Sequence, residues 1–213
     1  MDHGPKSRPA LYATIALCTI PFVLNDFADP VLRDFPSWAL LDYALRILAL
    51  AGLALAAPAL GFSRRDLRLV PADGRRTIIY ALALSLGAVL LDQIAAPALA
   101  SLIPGWDLPG MPAYPGPAWE SVDLTFGLAL VAVSEELLFR GAVPAAMRRL
   151  GWPPGAVMAG ACALFGIIHW SNGPAAILVT GLIGALFLCS AQRTGSLVPA
   201  IIAHYVVNLL AFA

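Results

Sequence analysis

The stretch VDLTFGLALVAVSEELLFRGAV (residues 122–143) decides how this chain folds. It is apolar enough to lie within a bilayer, yet its second half carries Glu135, Glu136 and Arg140. Ionisable groups at membrane depth are costly unless paired or hydrated, and by default they mark a functional site. The chain has only three glutamates, and two of them are adjacent here. Two of its three histidines, His169 and His204, also fall in late apolar segments. Within a helix, residues four apart share a face, so Glu136 and Arg140 stack and can pair. Glu135 points about 100° away from Glu136 and is left free to face the interior. Glu135 then lacks a partner, which makes it the acid whose proton affinity is raised and the better general base. The same three residues could instead form an ion-pair network that locks helix packing.

Composition agrees with a membrane chain. Of 213 residues, 60% are hydrophobic and only 12% are charged, where a soluble domain has about a quarter. The mean hydropathy is +0.80. Length and apolar content predict one polytopic transmembrane domain, residues 1–213. The formal net charge is zero, which points to no nucleic-acid partner. Cys18, Cys162 and Cys189 lie in apolar segments without metal-site spacing, so they read as small buried hydrophobes with no disulfide. The polar start, residues 1–9, leads into a series of spans rather than a cleavage site, which argues against a removed signal peptide.

The expected fold is all-α: a bundle of about seven spans, six to eight, at residues 10–24, 38–60, 77–103, 122–143, 154–170, 174–191 and 197–212. The first is short, closed by Asn25, Asp26 and Asp29, and could be tilted or incomplete. No alternating ten-residue strands suggest a barrel. With seven spans, Lys6, Arg8, Arg64, Arg65, Arg68, Arg75, Arg76, Arg148, Arg149 and Arg193 fall on one side. That side is cytoplasmic, and so is the N-terminus. The opposite loops carry Asp26, Asp29, Asp34, Asp107 and Glu120 against Arg33 alone. Trp38, Trp106, Trp119 and Trp170 sit at the outer span ends, as an aromatic belt does. Residues 104–120, rich in Pro and Gly, form an irregular outer loop that is either a lid or a linker.

Two further pairs share helix faces. Phe165 and His169 end span five; His204 and Asn208 lie one turn apart in span seven. An imidazole and an amide so aligned can donate two hydrogen bonds to one developing oxyanion. They can equally be helix–helix glue. Helix rise puts His204 about 11 Å and Asn208 about 17 Å above the inner face, and Glu135 about 10 Å above it. His169 comes out at about 22 Å, shallower than the others. Asp42 and Arg46 read as a structural pair within span two. Asp92 and Gln93 read as a hydrogen-bonded structural pair or as the lining of a hydrated cavity. Asp123 reads as a carboxylate suited to a helix N-terminus.

Glu135-Glu136-x-x-x-Arg140, Phe165-x-x-x-His169 and His204-x-x-x-Asn208, in that order, resemble the three-motif signature of the CPBP family, which comprises CAAX-type prenyl endopeptidases and abortive-infection intramembrane proteases. Gly141 and Thr194-Gly195-Ser196-Leu197 strengthen the likeness. It covers a catalytic core within residues 122–212, while the N-terminal helices, residues 10–103, carry none of it. The resemblance implies an intramembrane endopeptidase that cuts a membrane-associated peptide or the C-terminal region of a protein. Glu135 would activate water with His169. His204 and Asn208 would stabilise the oxyanion. Glu136, Arg140 and Phe165 would shape the site. The expected mechanism is metal-free, with no cofactor. If zinc takes part, Glu135, His169 and His204 are its expected ligands. The expected location is a bacterial inner membrane, with membrane lipid and a membrane-associated substrate as partners. The chief alternative is a catalytically silent binding or immunity protein on the same scaffold. A proton-coupled transporter would favour an internal repeat, and none is seen.

Overall fold

The computed structural model describes residues 8–106 and 108–213. Lys6 and Asp107, two charges used to orient the chain, lie outside the described residues. Those residues form seven helices: α1 (Arg8–Asn25), α2 (Phe35–Ala59), α3 (Gly74–Ala100), α4 (residues 117–149), α5 (Pro154–Ile167), α6 (Pro174–Thr194) and α7 (Val198–Phe212). A single helical turn, Ala28–Val31, follows α1. Four segments are long and apolar enough to cross a membrane: Arg8–Val31, α2, α3 and α6. The apolar helices α5 and α7 are shorter. The architecture is an all-α membrane helix bundle.

The cause of these helices is the lack of water for backbone groups in hydrocarbon, which leaves intra-segment hydrogen bonding as the solution. Local sequence sets their ends. Asp34 caps α2 by accepting from the Ser37 N–H, with Pro36 in the first turn. Gly195 ends α6 at φ 70°, a left-handed conformation that glycine adopts without a Cβ penalty.

Helix α4 is the central element. Helices α1, α2, α5, α6 and α7 all pack against it. Residues 138–147 are buried on every side, the pattern of a helix enclosed by others rather than facing lipid. One apolar cluster joins α1, α2, α4 and α5 through Cys18, Phe22, Leu53, Leu138, Phe139 and Val157. A second joins α3, α6 and α7 through Leu84, Ala88, Val179, Phe187, Ala200 and Ala203. Of the three cysteines, only Cys18 is fully buried; Cys162 is half-buried and Cys189 exposed.

Three turns widen to the π form: Leu91–Ala95 in α3, and Asp123–Gly127 and Leu137–Ala142 in α4. Pro97 and Pro144 follow two of them and lack the N–H that would bond the carbonyls of Gln93 and Arg140. The bulge at Leu137–Ala142 begins directly after the paired glutamates. Such bulges recur at functional sites.

The two ends of the bundle are tied separately. At one end, the turns after α2, α4 and α6 meet. Leu197 N–H donates to the Arg68 carbonyl at 3.1 Å, and Arg149 donates to the carbonyls of Leu60 and Gly61 and to Asp66. At the other, Ser171 N–H donates to Asp26 at 2.6 Å, Trp38 donates to Asp29 at 2.7 Å and Trp106 donates to the Ser171 carbonyl at 3.0 Å. The connections therefore alternate between two ends. Phe35 packs on the loop before α4 and on its first turn, with its ring centroid 4.7 Å from Tyr114 and 5.8 Å from Trp119. Helix α4 begins at Pro117, inside the stretch expected to be irregular up to residue 120.

Helices α5 and α6 come into close contact at Gly166. A Cβ there would lie inside the contact distance of the Ile177 carbonyl oxygen, whereas one at Gly155 would meet nothing within 4 Å. Gly166→Ala is expected to cost about 1–3 kcal/mol through overpacking. Thermal unfolding of the detergent-solubilised protein should show a lowered Tm for Gly166→Ala and an unchanged or raised Tm for Gly155→Ala.

Candidate active site

Glu135, His169, His204 and Asn208 all line one cavity of about 440 Å³. The cavity reaches from Glu135 in α4 to Asp26, Asp29 and Asn172 at the end of the bundle where α1 meets α2 and α5 meets α6. Its shape removes the depth mismatch expected for His169. That residue sits just past the end of α5, and the cavity extends up to meet it.

The two adjacent glutamates do face different neighbours. Glu136 Oε1 lies 2.8 Å from His204 Nδ1 and 3.2 Å from Arg140 Nη1. The Arg140 contact is close enough for an ion pair but is not aligned as a hydrogen bond. The Phe165 ring covers the guanidinium, with Arg140 Cζ 3.7 Å from its centroid. Gly184 on α6 leaves room for this stack, since a Cβ there would lie 3.0 Å from Phe165 Cδ1 and 3.5 Å from Arg140 Nη2.

Glu135 is not the partnerless acid expected from the sequence. Arg46 Nη1 of α2 donates to its Oε1 at 2.7 Å. The pairing of Arg46 with Asp42 is present, at 2.8 and 2.9 Å from Nε, but it is not the whole of what Arg46 does. A guanidinium has five donors. Asp42 engages Nε, so a second acceptor could have been sought from the sequence. The other oxygen, Glu135 Oε2, is buried without a hydrogen-bond partner and lies 3.7 Å from His204 Nε2.

The two imidazoles are oriented by their Nδ1 atoms. His169 Nδ1 lies 2.9 Å from the Phe165 carbonyl oxygen. That carbonyl is at the C-terminal end of α5, where the His169 N–H bonds to Gly166 instead, and it needs a donor. A carbonyl only accepts, so Nδ1 carries the hydrogen, and a neutral His169 presents Nε2 as an acceptor. His204 Nδ1 is engaged by Glu136, which turns Nε2 towards Glu135. The His204 ring is thus held by the acids as well as placed near Asn208. Phe165 is the neighbour the two rings share, with centroids 5.0 Å from His169 and 6.3 Å from His204.

Several lining residues escaped sequence reasoning. Asp123 does not start a helix, because α4 begins six residues earlier; it is buried and accepts from Tyr43 at 2.6 Å and Tyr114 at 3.1 Å. Burial and the Asp123 carboxylate push the Tyr114 hydroxyl up to about 12, so it stays a donor. Asp92, by contrast, meets both of its expected readings: it lines the cavity and accepts from Gln93 at 2.7 Å. Asn25 donates to Asp42 at 2.6 Å, which ties α1 to α2.

Glu135, His169 and His204, the expected ligands if zinc takes part, all line the cavity. Among the described residues no three His, Cys, Asp or Glu side chains are placed to hold an ion.

The fold and the cavity define an integral membrane protein of the helix-bundle class. Residues 117–210 match the family model described as Type II CAAX prenyl endopeptidase Rce1-like. The match agrees with the three motifs and supports an intramembrane endopeptidase in general terms. No curated protein and no solved structure matches the chain.

Removing Glu136 leaves Arg140, 1% exposed, without its acid. Breaking a buried pair from one side costs about 3–5 kcal/mol. Glu136→Ala should therefore lower the Tm in detergent far more than Glu135→Gln, which leaves Arg46 its Asp42 partner. Equal Tm values for the two variants would contradict this assignment of partners.

Proposed function

We propose that the chain is an intramembrane endopeptidase that hydrolyses a membrane-associated peptide, or the C-terminal region of a protein, within the cavity. The observation that carries this reading is that a buried carboxylate oxygen without a partner, Glu135 Oε2, shares one chamber with two oriented imidazoles and an amide. Glu135 Oε2 takes a proton from water, and His169 Nε2 accepts the water's other hydrogen bond. The water oxygen attacks the scissile carbonyl carbon. Asn208 Nδ2 and a protonated His204 Nε2 donate to the oxygen on which charge develops. Collapse breaks the C–N bond, and Glu135 returns its proton to the leaving amine. Phe165 forms part of the chamber wall, and Arg140 backs its ring.

The partners in this reading are membrane lipid and a peptide substrate. The family description makes a prenylated C-terminal tail one candidate, beside other lipid-associated peptides. In this reading the chain sits in a bacterial inner membrane, and Lys and Arg placement supports a cytoplasmic N-terminus.

The test compares peptide termini, by mass spectrometry, in membranes of cells producing wild type, Glu135→Gln or His169→Ala. Both variants should insert and retain their Tm while the wild-type cleavage products vanish. Losing one positioned acid–base group typically costs about 10²–10⁴-fold in rate. Undiminished cleavage in Glu135→Gln would exclude the mechanism. Retained peptide binding with no cleavage even in wild type would instead favour the silent binding protein.

A further inference from the structure

The family-matched segment, residues 117–210, contains Glu135 but not the group that grips it. That group is Arg46, on α2 and 89 positions away in sequence. It is 8% exposed, and among the described residues it is the one arginine or lysine that lines the cavity. A chain of contacts stands behind it. Asn25 of α1 donates to Asp42 Oδ1 at 2.6 Å, Asp42 accepts Arg46 Nε on both oxygens at 2.8 and 2.9 Å, and Arg46 Nη1 reaches Glu135 Oε1 at 2.7 Å. The two N-terminal helices are thereby wired to one oxygen of one carboxylate.

The division between the two oxygens is the informative feature. Oε1 is taken, and Oε2 has no hydrogen-bond partner and faces His204 Nε2. A glutamate side chain has several rotatable bonds, and an unanchored one samples several rotamers. Anchored by Oε1, it keeps Oε2 in one place. Arginine suits this task better than lysine, because its planar fork can address Asp42 with one edge and Glu135 with another.

We propose that Arg46 is a positioning residue of the active site: it fixes Glu135 through Oε1 and so presents Oε2 to the attacking water. Helix α2 is then part of the catalytic apparatus, and Asp42 and Asn25 act through Arg46. This inference rests on the peptidase reading above, and a purely architectural ion network is its rival.

The experiment uses purified full-length protein and a defined probe, the membrane-peptide extract of cells producing Glu135→Gln, in which uncut substrates accumulate. The initial rate of new termini is measured for wild type, Arg46→Ala, Arg46→Ala with sub-denaturing guanidinium chloride, and Arg46→Lys. Misplacing a reacting group by an ångström costs about 100-fold, so Arg46→Ala should fall at least tenfold. Guanidinium, small enough for a cavity of about 440 Å³ that reaches the end of the bundle where α1 meets α2, should restore part of the rate. A merely architectural arginine would give no such rescue. Arg46→Lys keeps the charge and should remain threefold or more below wild type.

A rate in Arg46→Ala within twofold of wild type overturns the proposal, and so does a loss that guanidinium does not restore. If Arg46→Ala fails to fold, Arg46→Lys decides alone: threefold or more below wild type supports positioning, and anything closer overturns it. No cleavage of the extract by wild type overturns the peptidase reading, and the role of Arg46 with it. Wild-type cleavage with an indifferent Arg46 overturns the positioning role only.

Discussion

The structure depends on a balance of charge that could not be struck by any single helix. Asp42, Glu135 and Glu136 are buried within a few ångströms of Arg46 and Arg140. Three acids against two guanidiniums leave one formal negative charge, beside the His204 ring. Burying such groups without partners would cost several kcal/mol each. The partners come from α2, α4 and α7, so closing the network forces these helices together. Of the three acids, Asp42 and Glu135 border the cavity, and Glu135 is the one that also neighbours the His204 ring.

That network explains why α4 is enclosed. A helix with two glutamates and an arginine in its buried half cannot face lipid, and the surrounding helices shield it. The widened turn at Leu137–Ala142, which Pro144 favours, lies between the glutamates and the next helical segment. Phe165 then links the polar residues of three helices, because its ring contacts Arg140 by its face and neighbours both histidines. Packing, electrostatics and chemistry meet in the same few side chains.

Much of this was legible in the sequence. Runs of apolar residues long enough for a bilayer marked the helices to within a few positions, since hydrocarbon permits little else. The i, i+4 spacings of Glu136 with Arg140, Phe165 with His169, and His204 with Asn208 marked the faces that carry polar groups. Partners on different helices were not legible. Arg46 looked satisfied by Asp42 four residues away, and nothing in local spacing shows that its other edge reaches Glu135. Asp123 looked like a helix start because residues 104–120 appeared irregular; the helix begins at Pro117, and two tyrosines from distant segments hold the acid. Depth estimates from straight helices set His169 apart from the other three residues because they take no account of a cavity long enough to reach it.

The central claim is that these polar groups share a chamber that water reaches, within a bundle whose outer faces are in lipid. It is tested most directly by thiol accessibility in a cysteine-free background, with a charged methanethiosulfonate reagent added to the protein in liposomes. Cysteine in place of Asn208, which lines the cavity, should react much faster than cysteine in place of Leu210, which lies on the same helix and is 67% exposed on the bundle's outer surface. Equal, slow reaction at both positions would mean that no aqueous chamber exists and would contradict the account.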